Sequence, residues 1–210
     1  MSSFINSPFL EGLLLGVALF SAPGPKDTLV IRQGVSGGSI WSIVAICVIA
    51  DIMLIAIGVA GLGKLLESHP RIVSILLLSG AIYLAWFGAQ RIAACIRSQS
   101  MPKLADTDNG TQRHLLRTAF ILSFANPYAW LDTVVLIGSM AAAKPSEQQS
   151  GFSVGTMVAS FIWFVLLAVG SRKLAGFFKS PQAWRWLDAG IALLMAYLCF
   201  GLVQDFIRLL

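Results

Sequence analysis

Three aspartates lie where the chain is otherwise apolar: Asp27, Asp51 and Asp132. An aspartate at the centre of a membrane-spanning helix costs about 2.5 to 3.5 kcal/mol on insertion. Such a residue persists when it faces a wet cavity, a partner or a ligand. Asp51, in "CVIADIMLIAIG", is the clearest case, because it sits midway along its apolar run. The structural alternative is a hydrogen bond to Ser or Thr on a neighbouring helix. Two helix-breaking stretches accompany the acids: "SAPGPKDTLVIRQG" over 21–34 and "FANPYAWLD" over 124–132. Pro23 and Pro25 lack an N–H and clash with the preceding turn, and Gly24 between them adds freedom. Asn126-Pro127 repeats the device. Broken helices at membrane depth are tolerated where backbone is buried in protein or lines a water-filled cavity. Their freed N–H groups can hold an anionic group and their freed carbonyls a cationic one. Lys26, beside Asp27, can either form an internal ion pair or snorkel to the membrane face, and the nearness of that face favours snorkelling.

These residues need elements that cross a membrane. The 210-residue chain is 57% hydrophobic and 12% charged, with a mean hydropathy of +0.79. Soluble domains are nearer half apolar and a quarter charged. Six apolar segments can be read, over 9–30, 40–64, 71–92, 116–141, 151–171 and 184–205. Each is close to the ~20 residues that span the hydrocarbon core. The expected fold class is an all-α integral membrane protein of six transmembrane helices, with the first and fourth kinked or broken at proline.

The polar stretch at 97–115 divides the chain into a first three-helix repeat, 1–96, and a second, 116–210. The halves echo each other: Pro25 then Asp27-Thr28 against Pro127 then Asp132-Thr133, and "ESHP" against "FKSP". Duplicating an odd number of spans inverts the second copy, an architecture common among secondary transporters. Ten Lys and Arg residues fall on the side that holds Arg32, Arg91 and the linker, and four on the other. The richer side is expected to be cytoplasmic, which places both termini outside.

Several function classes are excluded or left without support. The net charge of +5 is explained by topology, so no nucleic-acid partner is expected. No G-x-x-x-x-G-K-[ST], G-x-S-x-G or H-E-x-x-H motif occurs. Cys47, Cys95, Cys199, His69 and His114 have no metal-ligand spacing. No enzyme activity, catalytic residue, cofactor or metal is expected. Gly12 with Gly16, and Gly151 with Gly155 and Ala159, recur every four residues. They permit close packing of helices within the chain, with a homodimer face as the alternative.

"PGPKDTLVIRQG", "ADIMLIAIG" and "NPYAWLDTVVLIGS" together resemble the LysE-type amino-acid exporters, above all those for lysine and arginine in bacterial inner membranes. The likeness extends over nearly the whole chain, and Asn126, Pro127, Leu131, Asp132 and Thr133 are its most specific part. The resemblance implies six spans, export of L-arginine or L-lysine, and coupling to protons. It carries over onto Pro23, Gly24, Pro25, Asp51, Asn126, Pro127 and Asp132. Asp51 and Asp132 would hold the substrate cation, with Asp27 a further candidate and Asp51 the proton-coupling group. Backbone N–H groups near Pro25 and Pro127 would hold the carboxylate. One departure stands out: the basic exporters usually read Gln-Asn where this chain has Lys26-Asp27. A neutral amino-acid exporter, a passive channel and a non-transporting scaffold are the alternatives.

Overall fold

The structure is a computed structural model, and it describes residues 7–62, 65–66, 68–97 and 109–209. Among the described residues the regular elements are helices. The first is α1, Pro8–Phe20, which starts where Ser7 Oγ accepts from Leu10 N–H at 3.2 Å. It stops before the proline-glycine-proline run, and α2, Pro25–Val35, leaves at 76° to it. Then come α3, Trp41–Ile57, with a wider π-type turn at Gly58–Leu62, and α4, Pro70–Arg97. The second half holds α5, Asn109–Phe124, and α6, Pro127–Ala142, which meet at a 49° bend. A π-type stretch, Trp130–Ile137, occupies the middle of α6. The chain ends in α7, Ser146–Lys173, a 3₁₀ continuation at Leu174–Lys179, and α8, Pro181–Arg208.

Among the described residues four helical stretches are long and apolar enough to cross a membrane, and the number rises to six if each bent pair is one span. Both breaks fall where the prolines required them. The breaks differ in severity, however. The first apolar segment is two helices at a steep angle, and its second half runs to Val35, beyond the expected end at 30. Most of the 97–115 linker lies outside the described residues.

Small residues decide which helices touch. Without water there is no hydrophobic drive between membrane helices, so close backbone approach and van der Waals contact dominate. α1 lies along α7, where a Cβ on Gly12 would stand 2.0 Å from the Phe152 carbonyl oxygen and one on Gly155 would stand 2.1 Å from that of Phe9. Gly16 meets Ala159 in the same seam. The intramolecular reading of those residues therefore holds. A matching seam joins the other half to the first. Gly58, after α3, and Gly138, on α6, are back to back, and a Cβ on Gly138 would meet the Gly58 carbonyl at 2.7 Å. α4 packs on α8 through Leu84, Phe87, Ile191 and Met195. The outer faces of these two helices carry exposed Ile75, Ile82, Leu193 and Phe200, as a lipid-facing surface requires.

Candidate functional site

The break between α1 and α2 is held open by Asp27. Its Oδ2 accepts the Gly24 N–H at 2.6 Å, and its Oδ1 accepts Trp163 Nε1–H from α7 at 2.9 Å. An acid in the first turn that reaches back to the residue before the helix satisfies an otherwise orphaned donor and complements the positive end of the helix dipole. Asn126 performs the same task at the second break, where its Oδ1 accepts Tyr128 N–H at 3.0 Å. Sequence pairs Asp27 with Asp132; by the bonds they make, Asp27 pairs with Asn126. Substituting Asn126 by alanine is expected to cost about 0.5 to 2 kcal/mol, as loss of a helix cap does elsewhere. Thermal unfolding in detergent measures it.

Lys26 does not snorkel. Its ammonium is buried and paired with Asp51 Oδ1 on α3, and it stands 5.3 Å from the centre of the Phe164 ring on α7. The reason is geometric. α2 leaves the break at 76° to α1, and the lysine stem in its first turn reaches Asp51 on α3. Asp51 is wholly buried, and its second oxygen accepts the Ser160 hydroxyl of α7 at 2.7 Å. The hydrogen bond to a neighbouring Ser, the structural alternative for Asp51, is thus present beside the ion pair. Ser160, Trp163 and Phe164 lie within one turn of α7, so a single helix face serves Asp51, Asp27 and Lys26 in turn. None of these three α7 residues stands out in the sequence, because their role depends on which helix faces them.

Asp132 differs from the other two acids. It is half-buried, on the π-type stretch of α6, where widened turns redirect side chains and often mark functional sites. With Gly24, Pro25, Lys26, Asp27 and Asn126 it lines a cavity of about 40 Å³ between the two breaks. It also lines a larger cleft, of about 300 Å³, between Tyr128 and the end of α8 near Asp205. Gly24, Pro25, Asp27, Asn126 and Asp132 are therefore brought together around one cavity. Asp51 reaches this group through Lys26, while Pro127 supports it as the first residue of α6. A cavity of 40 Å³ has room for water but not for an amino acid, since ligand pockets run to about 300–1,000 Å³.

A further carboxylate inside the sixth apolar segment is buried in the structure. Asp188 on α8 is wholly buried and pairs with Arg32 of α2 and Arg91 of α4, each at 3.3 Å. The signal that could have found it is its position inside the sixth apolar segment, together with two arginines at the ends of the first and third.

Among the described residues no group of His, Cys, Asp or Glu is arranged to hold a metal ion. The fold and the site define a multi-pass membrane protein in which broken helices surround buried charged side chains. Residues 17–205 match the LysE type translocator family, and the chain belongs to that family. It is 31% identical to the lysine exporter LysE of Corynebacterium efficiens, over 93% of this chain and 97% of the relative. It is 28% identical to the arginine exporter protein ArgO of an Enterobacter species, over 95% and 94%. It is also 28% identical to the lysine exporter LysE of Corynebacterium glutamicum, over 93% and 97%. No solved structure matches the chain.

Proposed function

We propose that this protein exports L-arginine or L-lysine from the cytoplasm by alternating access, in exchange for protons. The observation that carries this reading is the Lys26–Asp51 pair. It supports a pocket that accepts an alkylammonium group at membrane depth, with a carboxylate, a hydroxyl and an aromatic face already arranged around it. In this reading Lys26 is a resident stand-in for the substrate's cationic end. Asp132, beside the wider cleft, receives the incoming cation, and Asp51 takes it, or a proton, when Lys26 gives way. Asp27, Asn126, Gly24, Pro25 and Pro127 keep the two breaks rigid around the pocket. Family membership and the names of the relatives support the substrate class.

Proton exchange follows from electrostatics. Carrying one positive charge outward against 100 mV, inside negative, costs about 2.3 kcal/mol, and one inward proton cancels that term. The cytoplasmic linker, the outward-facing termini, the bacterial inner membrane and the inverted repeat belong to the same proposal. Antiparallel halves are supported by the paired seams at Gly12–Phe152 and Gly58–Gly138.

Proteoliposomes loaded with labelled arginine test the reading. Efflux should rise with an inward proton gradient, and Asp132→Asn should slow it at least tenfold; efflux without saturation or proton dependence would mean a channel. A neutral amino-acid exporter is the second reading, favoured by the fact that Lys26 already fills the cation position. Lys26→Gln separates the two. If the lysine competes with a cationic substrate, its removal should enlarge the thermal shift produced by millimolar arginine, since ligand stabilisation follows occupancy. A neutral-substrate exporter would show no arginine-induced shift in either form.

A further inference from the structure

An amino acid has two charged ends, and the pocket accounts for one. The donors expected to receive the carboxylate are in use. Asp27 fills the Gly24 N–H and Asn126 fills the Tyr128 N–H. Unfilled donors occur instead around Asp188. Arg32 Nη2 reaches both of its oxygens, at 3.3 and 3.4 Å, and Arg91 Nη1 reaches one at 3.3 Å. Charge-assisted bonds of this kind are normally about 2.7–2.9 Å, so both guanidiniums are held loosely. Four buried side-chain nitrogens or oxygens among the described residues lack a partner, and two of them are the Nε atoms of Arg32 and Arg91. The rings of Trp184, at 5.6 Å, and Phe87, at 5.0 Å, back the two guanidiniums. Among the described ion pairs Asp188 is the one carboxylate that serves them, so the cluster carries one positive charge in excess.

Asp188 is wholly buried, whereas the Arg32 and Arg91 side chains keep 28% and 14% of their surface exposed, so the guanidiniums that carry the excess charge stay reachable. We propose that Arg32 and Arg91 form a carboxylate-binding station on the basic side of the protein, and that Asp188 holds the place which the substrate's carboxylate takes when this side opens. This inference rests on the amino-acid export reading. Arg32 lies six residues along α2 from Lys26, about 9 Å by helix rise. One short helix thus carries both the cation position and the anion receptor. When the substrate carboxylate replaces Asp188, α8 is released from α2 and α4, which couples loading to opening.

The test compares arginine with agmatine, which is arginine without its carboxylate, as co-loaded competitors of labelled arginine efflux. The ratio of their half-inhibitory concentrations is independent of how much protein folds. Wild type should favour arginine, and Arg91→Gln should reduce that preference about tenfold, the value of one charge-assisted hydrogen bond. Arg91→Lys should keep part of it. Asp188→Asn, which frees both guanidiniums, should strengthen competition by arginine and leave agmatine unchanged. A preference that stays at the wild-type value in both arginine variants overturns the station and leaves the exporter reading intact. Wild-type vesicles that release no arginine overturn both.

Discussion

Asp51→Ala is expected to destabilise the protein by roughly 3 to 5 kcal/mol, the penalty for leaving one member of a buried ion pair without its partner. The charge left behind is the Lys26 ammonium, which sits in the interior with a ring beside it and no second described ion pair. The Ser160 hydroxyl loses its acceptor as well. Removing both charges should reverse most of the loss. A Lys26→Met/Asp51→Leu protein fills the same space with apolar groups, and such replacements are often neutral or stabilising. The double mutant should therefore unfold near the wild-type temperature in detergent, with a coupling energy of several kcal/mol across the cycle. Its transport should nevertheless be absent if Asp51 exchanges substrate and proton. A folded double mutant that still exports arginine at the wild-type rate would reduce Asp51 to a structural residue.

The second large effect lies in the seam between α1 and α7. Gly155→Val should cost at least about 3 kcal/mol and lower the yield of folded protein, beyond the ordinary range for overpacking. The added atoms would meet backbone rather than a flexible side chain: a Cβ there stands 2.1 Å from the Phe9 carbonyl oxygen and 2.8 Å from the Leu13 nitrogen. Two helix backbones would have to separate. Gly12→Val should behave alike, since its Cβ would stand 2.0 Å from the Phe152 carbonyl oxygen. Gly190→Ala and Gly201→Ala are the controls. Nothing lies within 4 Å of a Cβ at either place, and alanine is the better helix former by about 1 kcal/mol. These two should leave the unfolding temperature unchanged or raise it. Equal losses at all four positions would refute close approach as the reason for the glycines.

Much of this architecture is a one-dimensional property. Apolar length against the thickness of a bilayer gives the spans, and the chemistry of Pro25 and Pro127 gives the breaks; neither needs knowledge of neighbours. The cost of a membrane-embedded carboxylate likewise singles out Asp27, Asp51 and Asp132 without a structure. What each acid touches is another matter. Lys26 reaches Asp51 from the first turn of a helix set at 76° to α1, and Asp27 becomes a cap because Gly24 and Trp163 present donors to it. The Arg32–Asp188–Arg91 cluster draws on three helices that are far apart in sequence. Sequence alone set the class of the protein, the apolar stretches that can cross a membrane and the places where helices must fail, because those follow from local backbone chemistry and the apolar solvent around it. Only the tertiary structure decided which charge neutralises which, because pairing energy falls with distance and burial, and both are properties of helices packed together.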